Sequence, residues 1–240
     1  MKARFLLAGD TALVVEFGDR VDRGVSDSVL SLSARVRASG IHGLVETVPT
    51  YRSLMVHYDP LAIDSASLIA AIENLLGASG SERPPAKLWR IPACYAASHA
   101  PDLEDVARAV GLSTDEVAAL HAQTCFHVYM VGFVPGFPYM GDLPEALVLP
   151  RRTDPRLKVP AGSIAIAMGQ TAIYPMESPG GWNLIGATPI RLFDHGSTPP
   201  ALLGPGDKVR FDPVSVAEFE GIAAAVERGA YRVACETTAG

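Results

Sequence analysis

Two periodicities alternate along the first eighty residues of the chain. Phe5 to Leu7 and Ala12 to Phe17 are apolar runs parted by Gly9-Asp10, a pattern that predicts two short strands and a turn. Val25, Val29, Leu32 and Val36 then recur at helical spacing, and Gly40 stops that helix. Val45 to Val48 and Ser53 to Tyr58 predict a strand pair around Pro49, and Ile69, Ile72 and Leu76 mark the stripe of a second helix. Each helix has one apolar side to bury, so this β-β-α-β-β-α order predicts a small sheet with both helices on one face. No reactive side chains gather there.

The stretch from Gly77 to Leu88, GASGSERPPAKL, has almost no apolar content and two prolines. It predicts a linker, with an N-terminal α/β domain over 1–82 and a second domain over 87–240. Leu88 to Ile91 reads as a strand, and Pro101-Asp102 opens a helix with the stripe Leu103, Val106 and Val110. Ser113 and Glu116 have capping-box spacing and start another helix toward Ala122. From Thr124 the pattern turns to strand. Apolar runs at Val159 to Ala167, Thr171 to Pro175, Trp182 to Ile185, Pro189 to Phe193, Lys208 to Phe211 and Tyr231 to Cys235 lie between Gly and Pro turns, with a helix over Ser215 to Gly229. Many short strands with such turns indicate a barrel or sandwich, so the expected class is α+β.

Charge narrows the choice of partners. Lys and Arg number 20 against 26 Asp and Glu, a formal net charge of −6 over 240 residues, which gives no general field for a nucleic-acid backbone. No window is apolar enough to span a bilayer, and Gly9-Asp10 and Glu16 interrupt what a signal peptide would keep apolar; a cytoplasmic chain without membrane contact is expected. Cys94, Cys125 and Cys235 are widely spaced with no CxxC, and read as thiols in a reducing compartment. No metal site is expected: His121 and His127 flank Cys125 but straddle a helix-to-strand change.

Candidate chemistry concentrates in two segments. GFVPGFPYMGDLP, Gly132 to Pro144, alternates glycines and prolines with Phe133, Phe137 and Tyr139. It reads either as a pocket wall or partner-docking edge, or as a long turn whose aromatics complete the core. It lacks the Gly-Lys-Ser/Thr of a phosphate loop. From Leu149 to Gly186, Arg151, Arg152, Arg156 and Lys158 place four cations in eight positions, suited to a carboxylate or phosphate or simply a solvated face. Gln170, Thr171 and Tyr174 stand near Ser178-Pro179-Gly180-Gly181-Trp182, whose amides would form an anion nest or an ordinary turn. Asp142 and Glu177 are lone acids beside apolar turns, available as a general acid or base. His121 reads as a satisfied structural or pocket histidine. A triad of Ser178, His121 and Asp142 has no GxSxG elbow behind it.

These segments, with LLGPGDKVRFDPV further on and LLAGDTALVVEFG near the N-terminus, resemble the family known variously as allophanate hydrolase subunit 1, the KipI-type kinase inhibitors and the B subunit of bacterial 5-oxoprolinase. The family's GFxPGFPY falls on Gly132, Phe133, Pro135, Gly136, Phe137, Pro138 and Tyr139; its arginine pair and PR on Arg151, Arg152, Pro155 and Arg156; its QTGxYP on Gln170, Thr171, Tyr174 and Pro175. The chain departs from the family at Ala172, where glycine is usual, and at Ala96-Ala97-Ser98, where relatives often carry Gly-Gly.

The resemblance implies a small N-terminal α/β sandwich domain followed by a cyclophilin-like β-barrel. It implies a partner similar to allophanate hydrolase subunit 2 and, with a LamB/YcsF-like subunit, hydrolysis of 5-oxo-L-proline to L-glutamate at the expense of ATP held by the complex. Relatives also serve as histidine-kinase inhibitors or as part of a biotin-dependent carboxyltransferase in urea carboxylase. For lactam opening, the expected catalytic groups are Asp142, Gln170 and Arg151. Substrate or phosphate binding falls to Arg152, Arg156, Thr171, Tyr174, Ser178, Gly180 and Gly181, with His121, Phe133, Phe137 and Tyr139 as pocket or partner surface.

Overall fold

A computed structural model of the chain describes residues 3–77 and 86–238, and most of the expected linker, 78–85, lies outside the described residues. Two units emerge, one up to Ala86 and one over Lys87–Thr238. In the first, β1 (Arg4–Leu7), β2 (Ala12–Glu16), β3 (Leu44–Pro49) and β4 (Ser53–Tyr58) form an antiparallel sheet in the order β1-β2-β4-β3. The helices α1 (Arg23–Ala38) and α2 (Ser65–Gly77) pack Val25, Val29, Leu32, Val36, Leu68 and Ile72 against Leu13, Val15, Leu54, Val56 and Tyr58. Asp22 caps α1 by accepting from the Val25 amide at 3.2 Å. In α2 the fully buried positions are Leu68 and Ile72, while Ile69 and Leu76 of the expected stripe are only partly buried. The apolar face is wide, and packing turned it by about one position.

The second unit holds β5 (Ala86–Ala93), α3 (Leu103–Val110), α4 (Thr114–Gln123), β6 (Phe126–Val131), β7 (Pro138–Gly141), β8 (Arg156–Val159), β9 (Ser163–Ala167), β10 (Gln170–Ile173), β11 (Ser178–Gly180), β12 (Asn183–Ala187), β13 (Lys208–Pro213), α5 (Val216–Glu227) and β14 (Ala234–Thr238). Eight strands form one sheet in the order β12-β9-β10-β7-β6-β13-β5-β14, with β13 and β5 parallel, and β11 and β8 make a separate ribbon. The architecture is therefore mixed α/β with a large sheet. A ladder closing it into the expected barrel is not among the described pairs. One bridge does connect the residue following β5 to the end of β12: Cys94 and Ala187 exchange backbone hydrogen bonds of 2.8 and 2.9 Å.

Alternation along β9, β10 and β12 gives the sheet two buried faces. Ile164, Ile166, Ile173 and Ile185 enter the larger core with Phe126, Val128, Met140, Val209 and Phe211. Ala165, Ala167, Ala172 and Leu184 face the other way, under Phe137, Tyr174 and Trp182. Small residues on that face leave room for large rings above it.

Several sequence expectations shift. The run Val159 to Ala167 is two strands, broken at Gly162, whose φ of 81° suits glycine and where a β-carbon would run into the Thr188 carbonyl. Pro189 to Phe193 is not a strand but makes a single bridge, Phe193 to Ala201. The loop Gly132 to Pro144 contains β7. No helix among the described residues is long and apolar enough to cross a membrane.

Candidate functional site

The backbone from Gly132 to Phe137 folds on itself before β7 begins. Val134 donates to the Gly132 carbonyl at 2.9 Å, Phe137 to Val134 at 3.1 Å, and Gly132 to Phe137 at 3.1 Å. This γ-turn puts Phe133 at φ 71° and leaves the residue 62% exposed. Phe137 turns inward and is buried. Its ring meets Phe133 edge-on at 5.6 Å, Tyr139 at 4.8 Å and Tyr174 at 5.0 Å. Tyr139 contacts Trp182 at 6.1 Å, and the Arg151 guanidinium lies 5.8 Å from the Trp182 ring. Of the two phenylalanines, Phe137 completes a core, whereas Phe133 stays exposed at its rim.

Tyr174 is buried with its hydroxyl over Gly180, where a β-carbon would overlap it. Burial raises the Tyr174 pKa, nearby Tyr139 raises it further, and Arg151, Arg156 and a hydrogen bond from the Trp182 backbone oppose the rise. Tyr139 is raised by burial, with Arg151 opposing. Both phenols therefore stay protonated at neutral pH.

The four-cation segment is not a bare charge run. Asp102 sits at the N-cap of α3 yet makes no side-chain bond to its own helix. Its buried carboxylate accepts from Arg156 Nη1 and Nη2 at 2.9 and 2.6 Å, Arg152 Nη1 at 3.0 Å and the Leu184 amide at 2.7 Å. Lys158 pairs with Glu177 at 3.1 Å on the exposed surface. Gly180 is in register with Arg156, and Arg152 donates its amide to the Gly181 carbonyl at 2.8 Å, so both arginines border the aromatic face. Sequence reasoning missed Asp102; its only local signal was a helix-opening Pro-Asp.

The remaining candidates separate. Ser178 to Gly180, read from the sequence as either an anion nest or an ordinary turn, is a strand paired with β8, and neither Gly180 nor Gly181 has positive φ. Ser178 Oγ is buried with no hydrogen-bond partner. His121 and Thr171 lie in the larger core, away from the aromatic face. Thr171 Oγ1 donates to the Ala165 carbonyl at 3.2 Å, so it accepts from His121 Nε2 at 2.8 Å, and His121 Nδ1 accepts from Tyr95 at 2.8 Å. Burial holds the His121 pKa down to about 3 and pushes the Tyr95 phenol up. His121, expected at a pocket or partner surface, is fully buried in this core with both ring nitrogens bonded. Asp142, at φ 70° and exposed, accepts a long 3.4 Å bond from Tyr129, whose ring covers Gly141. Gln170 begins β10 on the same strand face as Ala172, at the far end from Tyr174. Ser178, His121 and Asp142 occupy three different settings and form no triad.

No group of His, Cys, Asp and Glu suited to a metal occurs among the described residues. Grooves of about 360 Å³, beside Arg90, Gln123, Arg210 and Asp212, and about 450 Å³, beside Arg37, Val45 and Glu46, include none of the candidate residues. The site is an aromatic face edged by arginines.

Comparison with known proteins adds the family context. The model of the carboxyltransferase domain, subdomain C and D, matches residues 3–203. The chain is 36% identical over 222 residues to the B subunit of 5-oxoprolinase from Bacillus subtilis, covering 88% of this chain and 92% of that protein. It is 40% identical over 215 residues to the B subunit of 5-oxoprolinase from Escherichia coli O157:H7, covering 88% and 96%. The crystal structure of the K. lactis urea amidolyase superimposes with a TM-score of 0.79 at 22% identity, over 98% of this chain and 16% of that one, a likeness of fold.

Proposed function

Because this chain belongs to the family of the carboxyltransferase domain, subdomain C and D, and within it to the 5-oxoprolinase B and KipI-type group, we propose that it is the B subunit of an ATP-dependent 5-oxoprolinase. The observation that carries this reading is likeness to curated relatives of that name over nearly the full length of both chains. The partners in this proposal are a protein similar to allophanate hydrolase subunit 2 and a LamB/YcsF-like subunit, in a cytoplasmic complex; three free cysteines are in keeping with that compartment. We take the second unit as a cyclophilin-like barrel, a reading supported by its strand order and the Cys94–Ala187 bridge.

In the proposed reaction ATP phosphorylates the lactam oxygen and ADP leaves, water attacks the activated carbon and the ring C–N bond breaks to give an amine and an acyl phosphate, and a second water hydrolyses that acyl phosphate to phosphate and L-glutamate. Negative charge develops on phosphoryl and carbonyl oxygens, and donors already in place lower that barrier most. This chain offers guanidinium N–H groups at Arg152 and Arg156, protonated Tyr139 and Tyr174, and Arg151 over Trp182. These donors fit a phosphoryl or carboxylate group, and of the aromatic side chains beside them Phe133 and Tyr139 keep exposed surface. Gln170, at the far end of β10 from Tyr174, and the exposed Asp142 are assigned to orienting water only within the assembled complex.

The test is 5-oxoproline-dependent release of glutamate and phosphate by the chain alone and with both partners, each omitted in turn. Turnover confined to the full mixture is expected. Absence of turnover in a verified complex would sink the proposed role in 5-oxoprolinase. A carboxyltransferase component, favoured by the fold shared with urea amidolyase, and a KipI-like regulatory role would then take its place.

A further inference from the structure

We infer that Asp102 is the positioning residue of an oxyanion site formed by Arg152 and Arg156, aligning both guanidinium groups while cancelling one of their two charges. The inference rests on the proposed function for the identity of the anion, a substrate carboxylate or a phosphoryl group, but not for the geometry.

Three observations converge on it. First, Asp102 gives up its helix cap: a residue at the N-cap of α3 ordinarily bonds to the first amides of its own helix, and this one spends both oxygens on two arginines and the Leu184 amide. The carboxylate side chain is 4% exposed, whereas the Arg152 and Arg156 side chains keep 31% and 25%. Second, Arg156 meets the carboxylate with its two terminal nitrogens, a fork that fixes the plane of the group. Arg152 is held by a single bond, and its Nε is buried with no hydrogen-bond partner. Two cations against one carboxylate leave an excess positive charge with donors to spare. Third, the backbone carrying both arginines is fixed against Gly180 and Gly181, and Gly180 lies under the Tyr174 hydroxyl. The buried cluster of Tyr174 and Trp182 thus holds the backbone on which the two arginines stand.

A buried pair that merely staples α3 to β8 and β12 predicts only lost stability when Asp102 is neutralised. The site predicts something of opposite sign. Asp102→Asn keeps the size, with its amide oxygen at the Oδ1 position still able to accept from Arg152 and Arg156, and gives up the acceptor at Oδ2. It uncovers the second positive charge, so affinity for an oxyanion rises on the order of tenfold, the Coulomb effect of one unit charge at close range in a partly screened setting.

The experiment follows thermal unfolding of the full chain in inorganic phosphate and, separately, 5-oxoproline, each against chloride at matched ionic strength. The parent is expected to gain stability with at least one of the two anions, and which one identifies the group bound. Asp102→Asn is expected to unfold earlier in chloride but to show the stronger anion response. Arg152→Gln, which leaves the Arg156–Asp102 fork intact, is expected to lose the response. An Asp102→Asn protein that is destabilised with an unchanged anion response overturns the inference, as does an unchanged response in Arg152→Gln should Asp102→Asn fail to fold. Turnover of 5-oxoproline by the assembled complex, with parent and variants all blind to both anions, would overturn the site and leave the proposed function standing. An anion response without turnover would do the reverse.

Discussion

At the scale of single residues, the chemistry of each candidate follows from what surrounds it. His121 has both ring nitrogens bonded and its pKa held down to about 3 by burial, so the folded chain keeps it neutral where the unfolded chain protonates it below about 6.5. Between those values the unfolded state binds the extra proton, and stability falls as pH falls. Unfolding free energies measured from pH 6.5 to 4 are expected to drop in the parent, and His121→Gln is expected to remove about 1.4 kcal/mol per pH unit of that slope. An unaltered slope would show that other groups carry it. Gly180→Ala sets a methyl against the Tyr174 hydroxyl and is expected to cost about 1–3 kcal/mol with a changed near-UV signal from Trp182. Phe133 and Phe137 are four positions apart and opposite in consequence. Phe137→Ala empties a buried site and is expected to cost about 3–5 kcal/mol, while Phe133→Gly relieves a positive φ and loses mostly exposed surface, leaving stability within about 1 kcal/mol of the parent in chemical denaturation. A strained, exposed aromatic is what a docking or ligand contact would maintain.

At the scale of elements, local rules place the helices and tertiary pairing places the short strands. Ser113 and Glu116 bond reciprocally across the start of α4, and Ser215 and Glu218 do the same at α5, so both helix starts sit where the side chains demand. Ser113→Ala is expected to lower stability by about 1 kcal/mol, and Ser113→Asp to restore most of it, by thermal melts. The strands β7, β8 and β11 have three or four residues each, within segments whose Gly and Pro content reads as turn. Their partners supply what composition does not: β7 is paired on both sides, by β6 and β10, and β8 and β11 hold each other. Pairing at Ser178 to Gly180 replaces both the nest and the turn read there from sequence, because extended backbone turns successive amides to opposite sides.

At the scale of the whole molecule, the sequence alone determined the element order of the first unit, the two capped helices and the family, through information lying within a few residues: periodicity, cap spacing and contiguous motifs. The aromatic run and the arginines of the candidate site were legible for the same reason. Which of those residues act together was not. The sequence contains no local sign that Thr171 faces His121 in one core while Tyr174, three positions on, faces Trp182 in another; the period of two in β10 becomes directional only once the sheet has two covered faces. Nor does the cluster of cations reveal its counter-charge, since Asp102 lies 50 and 54 positions from the arginines it binds. Burial and charge pairing are properties of neighbours in space, and the chain acquires those neighbours only when α3, β8 and β12 come together.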